Sequence, residues 1–78
     1  MQNLQKSPAT LAREKKILNA LQPLVGSRYS TLVKHTVSAV SGFDIDDVVG
    51  PDDMAVMAYQ LYVHTDKERV ITGFGFTQ

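Results

Sequence analysis

The chain has 78 residues, no cysteine and a formal net charge of zero. That length makes a single small domain over residues 1–78, whose core removes roughly 60% of the unfolded surface from water. The lack of cysteine excludes a disulfide framework or a thiolate metal site. The zero hides a division of charge. Residues 1–43 carry Lys6, Arg13, Lys15, Lys16, Arg28 and Lys34 against Glu14, a net +5. Residues 44–78 carry Asp44, Asp46, Asp47, Asp52, Asp53, Asp66 and Glu68 against Lys67 and Arg69, a net −5. No apolar run reaches the roughly 18 residues that a membrane span needs. Arg13 to Lys16 stand where a secretory signal would carry its apolar segment, so the expected location is cytoplasmic, with no membrane partner.

Residues 1–6 read as a polar tail that frays. Ser7-Pro8 is a helix start, with Ser7 capping free amides and Pro8 at the first helical position. Leu11, Leu18, Leu21 and Val25 then recur on one face, flanked by Ile17 and Leu24, and Gly26 closes the segment. Ser27 is placed to cap a second helix with Tyr29, Leu32, Val33, Thr36, Val37 and Val40 as its apolar stripe, ending at Ser41-Gly42. The short connection predicts an αα-hairpin. Phe43 to Asp53 is an acidic connector with a turn at Gly50-Pro51, and Val48 and Val49 are placed to anchor it to the core.

Two readings compete for the last third. A helix from Pro51 would carry Met54, Met57, Ala58 and Leu61 on one side, but Val56, Tyr59, Tyr62 and Val63 would leave it apolar all round. A hairpin turning at Asp66-Lys67, or through Thr65 to Glu68, pairs Val63 with Val70, Leu61 with Thr72, Tyr59 with Phe74 and Met57 with Phe76. That register gathers the large apolar side chains on one sheet face. The predicted fold is therefore α+β, an αα-hairpin followed by a C-terminal β-hairpin, with an all-α three-helix domain as the alternative.

Motifs for chemistry are missing. Counting a calcium loop from Asp44 puts Val49 where the turn glycine belongs and Ala55 where the bidentate Glu belongs. His35 and His64 have no partner at metal-ligand spacing. Neither a nucleophile elbow nor a phosphate-binding glycine loop is present. No catalytic residue, cofactor or metal site is expected, and the chain reads as non-enzymatic. Gly73-Phe74-Gly75-Phe76 resembles the core of the RNP1 signature of RNA-recognition motifs, whose aromatics stack on bases. Thr72 stands in place of that signature's basic residue and Thr77 in place of its valine. Residues 36–50 resemble a helix-turn-helix in outline, but Asp44, Asp46 and Asp47 would face phosphates there, which opposes binding.

The expected function is a small protein–protein interaction module: an adaptor, inhibitor or regulatory subunit of bacterial or phage type, binding a protein partner or forming a homo-oligomer, a dimer first. Its candidate contacts are the basic Arg13, Lys15, Lys16, Arg28 and Lys34 and the acidic Asp44, Asp46, Asp47, Asp52 and Asp53. The alternative is weak binding of RNA or single-stranded DNA through the basic helical face and the Gly-Phe-Gly-Phe strand.

Overall fold

A computed structural model describes residues 6–77 of the protein. Helix α1 spans Pro8–Leu21, and the Ser7 hydroxyl accepts from the Thr10 amide at 3.1 Å. The α-helix stops four residues short of the expected end. Pro23 has no amide to continue the ladder and crowds the carbonyl four residues back. The chain tightens instead into a 3₁₀ turn over Gln22–Leu24. The buried face of α1 is Glu14, Ile17 and Leu21, while Leu11 is exposed. The apolar stripe is thus rotated from its expected position, toward Ile17.

The second helix, α2, spans Thr31–Ser41, and its cap is Ser30, not Ser27. Residues 26–29 instead run beside the start of the last strand, with Arg28 opposite Val70. Gly26 N donates to Ile71 O, Ile71 N to Ser27 O and Tyr29 N to Arg69 O, each at 2.8 Å. Those backbone groups are satisfied by the sheet, so the helix begins after them. Gly42, at φ 81°, ends α2 in the left-handed conformation that glycine adopts without strain.

Three strands follow: β1 at Val48–Val49, β2 at Leu61–Thr65 and β3 at Ile71–Phe76, in sheet order β1-β2-β3. The C-terminal hairpin forms, and no helix forms over residues 54–64. β1 is an addition to the expected hairpin. It runs parallel to β2, with Val48 opposite Leu61 and Val49 opposite Tyr62. Two residues are too few to show a periodicity, so only the anchoring role of this pair was readable, and both valines are buried.

The β2–β3 register differs from expectation. Leu61 faces Phe76 and Val63 faces Phe74, a displacement of four residues along β3. An even displacement keeps Leu61, Val63, Phe74 and Phe76 on one face, while Met57 and Tyr59, expected in the same strand, lie in the loop before it. The turn is the cause. The Asp66 carboxylate accepts from Glu68 N at 2.8 Å and Val70 N at 3.0 Å, and Arg69 sits at φ 68°. A bulge between His64 and Thr65 then sets Ile71 opposite Thr65. The bulge also carries Ile71 into the core, although the simple alternation placed it on the other face with Tyr62. Ile17, Leu21, Tyr29, Val37, Val48, Leu61, Val63 and Ile71 form one core, with the two helices packed on the sheet.

Candidate functional site

The connection from β1 to β2 carries the two most exposed large apolar side chains of the described residues, Met57 and Met54; Leu32 of α2, 75% exposed, comes next. Met54 is 88% exposed, Val56 59%, and Met57 is fully exposed. Exposure alone is ordinary for a surface residue. The loop beneath these side chains, however, is held at both ends.

At its start the turn Gly50–Asp53 closes on itself. Gly50 N donates to the Asp53 carboxylate at 2.9 Å and Asp53 N to Gly50 O at 3.1 Å. Two cations from other elements grip the same turn. Lys34 of α2 reaches the Asp53 carboxylate at 3.0 Å, and Arg69 bonds both oxygens of Asp52 at 2.9 and 2.8 Å. The turn backbone lies on Tyr29. A Cβ at Gly50 would stand 2.5 Å from the phenol ring.

At its end the loop is tied by Gln60, which is fully buried. The Gln60 amide oxygen accepts from Val56 N at 3.1 Å. The Thr77 hydroxyl accepts from Gln60 N and donates to Ala58 O, both at 2.8 Å. Ordering a loop costs conformational entropy that its own side chains normally repay by burial. Here the buried Gln60 and the ion-paired turn order the backbone while the methionines face solvent.

The candidate charges fall into two sets. Arg13, Lys15, Lys16 and Arg28 are exposed, and none makes an ion pair among the described residues. Lys34 is neutralised by Asp53, so one expected basic contact and one expected acidic contact meet within a single chain. Asp52 is likewise taken by Arg69. The Gly50 amide above all, against the cost of burial, and then the Lys34 ammonium hold the Asp53 carboxyl below its usual range. Asp44 and Asp46 are exposed and Asp47 is half-buried, all at the 3₁₀ turn after α2. Phe74 and Phe76 are half-buried against the core, and the Phe76 ring packs on Phe43 and Tyr59 at 5.7 and 6.2 Å between centroids.

One cluster was not read from the sequence. Glu14 is buried on α1 and holds Lys6 at 2.6 Å, and the Tyr59 hydroxyl donates to the same carboxylate oxygen. The Lys6 ammonium stands 5.3 Å from the Tyr59 ring centroid and 5.6 Å from that of Phe76. Burial pushes the Glu14 carboxyl up, but the bonds from Lys6 and Tyr59 outweigh it and the net shift is downward. Burial and the neighbouring carboxylate push the Tyr59 hydroxyl up to about 12. Of the segment expected to fray, residues 1–5 lie outside the described residues, and Lys6 is bonded as stated. The only signal available in the sequence was the solitary acid at the i−3 and i−7 positions of the Ile17 and Leu21 stripe.

Two open clefts mark the surface. One, of about 280 Å³, has Arg13, Phe43, Asp44, Asp47 and Tyr59 in its walls. The other, of about 270 Å³, runs between Tyr29, Lys34, His35, Asp52, Asp53 and Arg69. Both are slightly smaller than usual small-ligand sites. Among the described residues no group of three His, Asp or Glu side chains could hold a metal ion, and no helix is long and apolar enough to cross a membrane. No protein-family model, no curated protein and no solved structure matches the chain.

Proposed function

We propose that the chain is a small non-enzymatic interaction module, an adaptor, inhibitor or regulatory subunit, that docks a protein through the loop Met54–Ala58. The observation that carries this reading is the pairing of an ordered backbone with uncovered apolar side chains. Methionine suits such a surface, because its flexible thioether adapts to irregular partner pockets. Pre-ordering the loop lowers the entropy lost on association. β3 offers a second contact. Its start is covered, with Ile71 bonded to Gly26 and Ser27, but beyond that it is an edge of the three-stranded sheet, and from Val70 to Gln78 the sequence has no charge to discourage pairing. The partner is either another protein or a second copy, with a closed dimer the simplest arrangement of the latter.

The rival reading keeps one observation in its favour, the unpaired Arg13, Lys15 and Lys16 within one turn of α1. The capture of Lys34 by Asp53, and the packing of Phe76 among other rings, leave it fewer contacts than the sequence offered. Nucleic-acid affinity scales with the number of cations that reach phosphates.

The test is the triple variant Met54→Ser, Val56→Ser, Met57→Ser. Because these side chains are exposed, its stability should stay within about 0.5 kcal/mol of wild type. Association with a partner protein, or concentration-dependent self-association, should be lost. A variant that keeps every association of the wild type removes the loop from the interface. A large fall in Tm would show that the side chains pack within the chain.

A further inference from the structure

We propose that Glu14, Tyr59 and Phe76 form an alkylammonium-binding site, which in this structure is filled by the chain's own Lys6. The site has the parts such a cation needs. One is a carboxylate at ion-pair distance, 2.6 Å from the ammonium. The others are two aromatic rings with centroids at 5.3 and 5.6 Å, within the roughly 6 Å over which a ring attracts a cation.

Glu14 is out of place as a structural residue. It is 8% exposed and shares the inner face of α1 with Ile17 and Leu21, a position that an apolar side chain would fill at no electrostatic cost. A carboxylate taken out of water there is tolerated only when a cation is bound. That cation comes from neither α2 nor the sheet, but from a residue preceding the Ser7 cap.

Two contacts of the receptor do not pass through Lys6. The Tyr59 hydroxyl bonds Glu14 directly, and the Phe43 ring supports Tyr59 at 5.2 Å between centroids. Removing the lysine should therefore leave the rings in place around a carboxylate that lacks its cation, at a cost in stability that an added ammonium can offset. The cleft beside it, walled by Phe43, Tyr59, Asp44 and Asp47, brings two more carboxylates toward an arriving cation, with Arg13 as the opposing charge. The ligand is a narrow alkyl stem ending in an ammonium. A free amine and a lysine side chain of another polypeptide share that chemistry.

The experiment is chemical rescue. Lys6→Ala empties the cage and should lower Tm. n-Butylammonium should then raise Tm saturably in Lys6→Ala, but not in Lys6→Ala/Glu14→Gln, and neutral n-butanol should have no such effect. Nα-acetyl-lysine amide is the second ligand. A stronger rescue by it assigns the site to lysine of a polypeptide, and an equal one assigns it to alkylammonium in general. If Lys6→Ala is unfolded, the same ligands are titrated for recovery of its helical circular dichroism, since a ligand that binds only the folded state draws the chain back to it. No saturable rescue, or equal rescue with and without Glu14, overturns the proposal.

Discussion

Tyr29 reports how closely the chain is packed where the loop begins. Its ring covers Gly50 so tightly that no side chain fits there, and its hydroxyl is buried with no hydrogen-bond partner among the described residues. Burial, with the charges of Asp53 and Asp52, pushes that hydroxyl up to about 12, so it stays protonated at any physiological pH. A buried unsatisfied hydroxyl costs on the order of 1–3 kcal/mol. Tyr29→Phe should therefore stabilise the protein by about 1 kcal/mol, read as a higher urea midpoint. A destabilised variant would show that the hydroxyl has a partner. Little of this was legible in the sequence. Gly50 beside Pro51 signals a turn, but not that a ring from before α2 lies on it. Tyr29 signals a core position, yet the sequence reading placed it on a helix, and the structure holds it in an extended segment.

At the level of elements, Glu14 clasps three pieces of chain: α1, the segment before it and the entry to β2. The sign of its pH dependence follows from the downward shift of its carboxyl. A carboxylate whose folded value lies below its unfolded value contributes stability that is present above the unfolded value, about 4.3. That contribution is lost as pH falls through the folded value. Wild type should hold its Tm on acidification to about pH 4.5 and lose it below. Lys6→Ala should begin to lose stability at a higher pH, because burial then acts on the carboxyl without its main counterweight. Thermal melts between about pH 2.5 and 7 check this, and coincident profiles for the two proteins would deny the clasp any electrostatic role. The helices and the hairpin were legible from caps, periodicity and the shared apolar face. The register was not, because it depends on the Asp66 turn and on a bulge, and even displacements leave the apolar pattern unchanged. β1 was too short to announce itself, and Pro23 marked the true end of α1 without being weighed.

Across the whole molecule one ion pair joins the opposed halves of charge, and a second lies within the acidic half. Lys34 meets Asp53 across 19 positions of sequence and Arg69 meets Asp52 across 17. Part of the segregated charge thus holds one loop within one chain. Composition could reveal the asymmetry but not which charges find each other, since that is set by where α2 and the β2–β3 turn bring their side chains. Met54 and Met57 remain the most exposed large apolar side chains of the described residues, and the proposed docking requires that they be covered in the cell. Thioethers oxidise according to their exposure. Brief oxidative footprinting of the purified, dilute protein, compared with the protein in a lysate of its native cell, reads Met54 and Met57 separately by mass spectrometry. The account predicts rapid oxidation of both in the dilute protein and clear protection of both in the lysate. Equal oxidation of the two methionines in both settings would contradict it.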